Sequence, residues 1–401
     1  MRPRLQKIAL NPVTSAPPDN YHPNHSERSA VPWRARISVV FCLLLLSCTR
    51  VEKLDLTRLT LPPGFRIAIF AEAPHARQMA FSPGGVLLVT DTSDGTVLAF
   101  PDAKHSGRAE RVVPLLSGLN APHGIAFDKG KLYVAEINAV RRYDWDEAQV
   151  RASNGQKIVD LPGSGGGHST RTILFANGKM YVAAGSSCNV CLEDDQRRAA
   201  VTEYSADGSG QRTFASGLRN AVGLTVNPKT NTIWATDNGR DWLGDDLPPE
   251  EINDLGPSGG NAGWPYCYGN RVPDRSQSKD YDCSKTIAPA IEMQAHSAPL
   301  GLLFYNGEMF PAEYRGNLFV TFHGSWNRSM PTGYKVVRIK FNDKGEPQGP
   351  PEDFISGWLR PGETKKGVWM GRPVGLVVGT DGAMYVSDDS AGVVYRVTWG
   401  K

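Results

Sequence analysis

Charge of one sign is scarce in this chain. Its 401 residues carry 44 Lys and Arg against 41 Asp and Glu, a formal net charge of +3, with no basic stripe. That excludes the electrostatic footprint of a nucleic-acid binder. Long apolar runs are scarce too. The one at Ile37–Leu46 is too short to span a bilayer comfortably. Cysteine is sparse: beyond Cys48 there remain Cys188, Cys191, Cys267 and Cys283. Cys188-Asn189-Val190-Cys191 has no histidine after it, which excludes a c-type haem attachment.

What is present is ordered. Residues 1–30 are polar, proline-bearing and aperiodic; Arg34 and Arg36 then precede the apolar run and Ser47-Cys48. Positive, apolar and small residues in that order form a secretory signal. Leu45-Leu46-Ser47-Cys48 also resembles a bacterial lipobox, so a lipid anchor on Cys48 stands beside plain secretion. Residues 1–48 are expected to be an export segment and 49–401 the folded domain, periplasmic or otherwise extracytoplasmic. An even cysteine count in an exported chain points to two local disulfides, 188–191 and 267–283, ahead of a zinc site.

Glycine and proline, 42 and 29 of them, are spread along the chain, as an all-β, turn-rich protein needs. A strand–turn–strand unit recurs six times: Met79–Asp91, His123–Glu136, Thr172–Ala184, Val222–Asp237, Leu300–Thr321 and Val374–Asp388. Its spacing is roughly that of a four-stranded propeller blade. The fold class is therefore all-β, a six-bladed β-propeller with long loop insertions in the later blades. A lone blade cannot bury both its faces, whereas a closed ring can. The strand Gly64–Phe70, left over before the first unit, is expected to pair with Val393–Val397 and close the ring. Two insertions, 240–298 and 323–370, are the expected seats of binding groups. Their tryptophans, Trp242, Trp264, Trp326 and Trp369, read as core or rim aromatics.

Three polar sites stand at blade starts: His168 after a glycine run, Arg219-Asn220 before Val222, and Arg372 before Val374. On one face of a propeller they would converge near the axis. A cationic pair with a histidine suits a polyanionic, redox-active ligand.

Gly167-His168-Ser169, Gly217–Leu224, Glu251-Ile252-Asn253 and Gly260–Pro265, in order and in register with the blades, resemble the quinoprotein glucose/sorbosone dehydrogenase family. Those are propeller enzymes that use pyrroloquinoline quinone (PQQ) with Ca²⁺. Ser186–Cys191 and His323–Arg328 look closer to the sorbosone branch. The resemblance implies a sugar, sugar-aldehyde or related alcohol dehydrogenase passing electrons to a separate acceptor. It implies His168 as base, Arg219 beside the quinone oxygen, and Asn220 and Arg372 on PQQ. Asp237, Gly239 and Arg240 fall at its Ca²⁺ ligands, the last two through carbonyls. Where the glucose enzymes orient the base with a carboxylate, this chain has Ser186. Their second-blade glutamine has no match, with Asn120 and His123 nearby. Their fifth-blade lysine is replaced by the loop carrying His323 and Arg328, either of which would take its role. The alternatives are a Ca²⁺-dependent lactonase-type propeller hydrolase and a non-catalytic surface-binding propeller.

Overall fold

The computed structural model describes residues 50–51, 53–163, 166–277 and 280–400. The expected export segment, residues 1–48, lies outside the described residues, as does Gly165 of the glycine run.

Each repeat opens an antiparallel four-stranded sheet, and there are six such sheets. Blade 1 begins with the inner strand Ala76–Phe81, blade 2 with Gly124–Asp128 and blade 3 with Arg171–Ala176. Blades 4, 5 and 6 begin with Leu224–Val226, Pro299–Phe304 and Pro373–Val378. These inner strands contact one another cyclically, the sixth touching the first, and so surround an axis. The second strand of each blade is mostly apolar because both its faces are buried. In Leu87–Asp91, Leu87 and Val89 pack toward blade 6 while Leu88 packs toward blade 2. In Lys179–Ala184, Met180 and Val182 face blade 2 while Tyr181 and Ala183 face blade 4. The core is thus a set of wedges between blades. Each buried Leu, Val or Phe in it contributes roughly 1.5–3 kcal/mol of transfer free energy.

Hydroxyls stitch the wedges near the axis. Thr90 Oγ1 donates to the His123 carbonyl at 2.9 Å, Thr172 to Val222 at 2.6 Å, and Thr321 to Val374 at 2.6 Å. Thr236 donates to Leu300 at 3.2 Å and Ser387 to Arg77 at 2.5 Å, the last joining blade 6 to blade 1. Backbones come so close here that a Cβ on Gly124 or Gly301 would meet the next blade's carbonyl at 2.5 Å. That explains the glycine in these repeats.

The ring closes as the leftover strand implied. Phe65–Glu72 pairs with Val393–Trp399, from Phe65 against Trp399 to Glu72 against Val393. Both expected disulfides, 188–191 and 267–283, are formed. The insertions differ from expectation in one respect. Residues 240–298 also contain the blade-4 outer strands Glu250–Asp254 and Ile291–Met293, and 323–370 contain the blade-5 outer strands Lys335–Phe341 and Pro347–Ile355. Their carboxylates and prolines hide the alternation that marks a strand.

Candidate active site

Within a blade the second strand runs back along the first. The entrance of the first and the exit of the second therefore share one face of the ring. His168, Arg219, Asn220 and Arg372 stand at such entrances, and Ser186, Asp237, His323 and Asp389 at such exits.

His168 is fixed by Ser186. Its Nδ1 lies 3.1 Å from the Ser186 carbonyl and 3.0 Å from Ser186 Oγ. The carbonyl only accepts, so Nδ1 carries the proton. The hydroxyl accepts as well, because its own proton goes to the Cys188 carbonyl at 2.6 Å. Nε2 is left with a free lone pair. Burial, and then the charges of Arg219, Arg198 and Arg171, push the imidazole pKa down to about 4. The ring is neutral at ordinary pH. Asn220 lies alongside: a Cβ on Gly185 would stand 2.5 Å from Asn220 Oδ1 and 2.7 Å from His168 Cβ.

Arg219 is almost wholly buried, and every N–H of its guanidinium has a protein acceptor. Nε donates to the Asn189 carbonyl at 3.1 Å, and Nη1 to the Asn238 and Gly239 carbonyls at 3.1 and 2.8 Å. Nη2 donates to Asn189 Oδ1 at 2.9 Å and to Asp241 at 3.1 Å. In this arrangement it offers its charge rather than a free donor. Its main chain is held by Asp237, whose carboxylate accepts from the Arg219 and Asn220 amides at 2.9 and 2.6 Å.

Asp237, Gly239 and Arg240 line one cavity of about 20 Å³ with Glu251 and Asp274. That is room for a single ion or water. Burial raises the Asp237 and Glu251 carboxyls; the Glu251 charge raises Asp237 further, and Glu292 raises Glu251. Two desolvated carboxylates at a one-ion cavity are a donor set suited to a hard cation. The Gly239 carbonyl already accepts from Arg219, and the Arg240 guanidinium turns to Asp274 at 2.6 Å.

Blades 5, 6 and 1 supply a second group. His323 Nε2 lies 3.0 Å from Asp389, and Arg77 Nη1 donates to the same carboxylate at 2.6 Å. Burial opposes its ionisation, yet His323 and Arg77 hold the Asp389 carboxyl well below the usual carboxylate range. Arg372 donates to the His323 and Gly324 carbonyls at 3.0 and 2.9 Å and lies 5.1 Å from the Trp369 ring centre. Arg328 does not join this group. Its guanidinium donates to the Asp245 carbonyl and, at 3.2 Å, to the Asp246 carboxylate, so it braces the acidic loop instead. Of the two candidates for the lysine's place, His323 joins the Arg77–Asp389 group and Arg328 the acidic loop.

The sequence assigns no role to Arg77 or Asp389 and places His123 only near the unmatched glutamine. Yet Arg77, His123, Val222, Leu300 and Val374 present equivalent carbonyls to the inter-blade hydroxyls. Blades 4, 5 and 6 fill that position with a small apolar cluster, Val222, Leu300 and Val374. A charged or polar residue in the same register is the signal that marks Arg77 and His123. Asn220 Oδ1 is buried without a partner among the described residues, and the buried His123 ring has the Arg171 backbone beside it but no well-formed hydrogen bond. A polar ligand at the axis would satisfy them.

The chain matches the TrAA12-like family over residues 59–400. It is 29% identical to an uncharacterised protein of Borreliella burgdorferi over 90% of this chain and 97% of that one. It is 27% identical to a pyrroloquinoline quinone-dependent pyranose dehydrogenase of Coprinopsis cinerea over 83% of this chain, but spans only 54% of that protein. Its fold is that of the calcium structure of Trichoderma reesei Carbohydrate-Active Enzymes Family AA12, at a TM-score of 0.75 and 22% identity, covering 88% of this chain and all of the other.

Proposed function

This chain belongs to the TrAA12-like family, and from that premise we propose that it is an exported dehydrogenase, dependent on PQQ and Ca²⁺, that oxidises a sugar, sugar aldehyde or related alcohol. The observation that carries the reading is the locked tautomer of His168: a buried, neutral imidazole with Nδ1 committed to Ser186 and Nε2 free. Nε2 takes the proton of the substrate hydroxyl as general base. PQQ, when bound, supplies the acceptor for the hydride from the carbinol carbon, and Ca²⁺ a Lewis acid beside it. Asn220, His323 and Arg372 hold the cofactor at the axis, with Arg77 and His123 added to the sequence-based set. The fixed charge of Arg219 stabilises negative charge as it develops. Asp237, Glu251 and the carbonyls of Gly239 and Arg240 hold the cation. Two disulfides support an oxidising compartment, and a separate acceptor takes the electrons onward.

The test is reconstitution. PQQ and Ca²⁺ are added to the protein, and the quinone absorbance and dye reduction are followed across a panel of aldoses. Absorbance shift and sugar-dependent reduction are expected, with His168→Ala abolishing reduction while sparing PQQ uptake. Failure to bind PQQ at micromolar concentration removes the reading.

A further inference from the structure

Trp242 and Trp326 stand 69% and 60% exposed on two different loops. Their rings are 5.4 Å apart and 87° to one another, an open corner of two apolar faces. Water is a poor place for two indoles, so their presentation needs a reason. Trp242 is held at a φ of 74°, a conformation bulky side chains avoid. The loops that bear the pair are cross-braced: Asn327 Nδ2 donates to Asp241 Oδ1 at 2.7 Å, and the Ser329 amide to Asp245 at 2.9 Å. A strained, braced backbone thus keeps an aromatic corner in solvent.

Both loops leave from the axial site. Asp241, directly before Trp242, accepts from Arg219 at 3.1 Å. His323, three residues before Trp326, belongs to the Arg77–Asp389 group. The chain thus runs within a few residues from Arg219 and from the Arg77–Asp389 group to the two tryptophans.

We propose that Trp242 and Trp326 form a second carbohydrate subsite, receiving the next ring of a glycan chain whose terminal ring meets His168. The substrate class is then a saccharide of two or more hexose rings. This rests on the sugar-oxidising reading above. A pyranose has an apolar C–H face for an indole and a hydroxyl rim for Asp241 and Asn327. Two indoles offer roughly 150–250 Å² each, well short of the ~800 Å² per partner of a standard protein interface. The corner fits a sugar ring better than a protein surface, although Leu247 and Met330 on the same loops are also exposed.

The test uses the full chain loaded with PQQ and Ca²⁺. Cellotetraose, maltotetraose and glucose are each titrated by calorimetry and assayed by dye reduction. We expect Trp242→Ala and Trp326→Ala to weaken tetrasaccharide binding about tenfold and to raise its KM relative to that of glucose by a similar factor, with partial recovery in Trp242→Phe. Equal effects on tetrasaccharides and glucose, or no tetrasaccharide binding, overturn the subsite. So does a loss confined to reduction of a macromolecular acceptor, which would make the corner a docking surface. Tryptophan-dependent tetrasaccharide binding without turnover of any sugar leaves the subsite standing and removes the dehydrogenase reading.

Discussion

Ser186 accepts the His168 Nδ1 proton twice over, on its carbonyl at 3.1 Å and its hydroxyl at 3.0 Å. A neutral pair of acceptors thereby does the orienting work that a carboxylate performs elsewhere, and the Ser186 carbonyl favours the imidazolium less than burial and Arg219 oppose it. Two variants separate orientation from charge. Ser186→Ala keeps the carbonyl and loses the hydroxyl, so kcat should fall by about tenfold with little change in KM, as expected for an orienting partner. Ser186→Asp places a negative charge at the ring and should raise the His168 pKa, moving the acid limb of kcat/KM to higher pH. A pH–rate profile of both variants checks this. An unmoved limb in Ser186→Asp would mean that another group titrates.

The wild-type profile follows from the same geometry. Burial first, and then Arg219, Arg198 and Arg171, hold the His168 pKa at about 4 instead of 6.5. Protonation would occupy Nε2 and abolish the base, so activity is lost as pH falls through about 4 and is retained at pH 5. The same shift acts on stability. Between 6.5 and 4 the unfolded chain binds a proton that the folded chain refuses, so acidification through that window favours unfolding. Initial rates from pH 3.5 to 8, with thermal midpoints beside them, test both; an acid limb centred near 6.5 would contradict the buried neutral ring.

Legibility divides along a physical line. The blades could be read because apolar strands and Gly/Asn/Asp turns repeat, and the closing strand because a ring cannot leave an edge. His168, Arg219, Asn220 and Arg372 stand out because each is polar at the start of a repeat. Arg77 was hidden, and His123 could be noted only as lying near the missing glutamine: both lie inside the apolar register, where Val222, Leu300 and Val374 stand in later blades, and the inter-blade hydroxyl bonds align these five copies closely enough to expose them. Arg328 was read only from its loop, which replaces the family's lysine; its partners on the acidic loop, Asp245 and Asp246, come from a distant stretch and could not be read from spacing. The outer strand Glu250–Asp254 was unreadable because it buries carboxylates, which compose a strand only when amides such as Gly239 and Gly269 satisfy them.

The Cys188–Cys191 loop joins the base to the guanidinium. The Cys188 carbonyl receives the Ser186 hydroxyl, and Asn189 receives Arg219 through both its carbonyl and Oδ1. Asn189→Ala removes the side-chain acceptor shared by Arg219 and the Asp241 amide at 2.8 Å. As a positioning change it should lower kcat by about tenfold and weaken PQQ uptake, whereas Asn189→Asp, which keeps the acceptor, should restore most of both. Absorbance titration with PQQ reads the cofactor half without turnover. Wild-type PQQ affinity in Asn189→Ala would show that Arg219 keeps its place without this contact.

The Cys267–Cys283 bond closes a loop of sequence separation 16 inside the blade-4 insertion. In the chain-entropy account a loop of that size stabilises by about 3 kcal/mol. The paired change Cys267→Ser with Cys283→Ser should lower the urea midpoint accordingly. It should also disturb the cavity beside Asp237, because Cys267 lines it. Calcium-dependent thermal stabilisation should therefore shrink in the variant; full retention would place the cation elsewhere.

Phe65 opens the strand that joins the first residues of the propeller to the last. Its ring lies 4.7 Å from that of Phe310, 5.0 Å from Phe354 and 4.9 Å from Trp399, so it bridges blade 5 to the closing blade. Removing it empties a contact among four aromatics, Tyr314 being the fourth at 4.8 Å, and loosens the pairing that hides the edge. Phe65→Ala should cost about 3–5 kcal/mol, the usual range for a buried Phe, and Phe65→Leu clearly less. Urea unfolding at fixed pH measures both. A cost below about 1 kcal/mol, the size of an ordinary surface change, would mean that the backbone ladder from Phe65 to Glu72 closes the ring unaided.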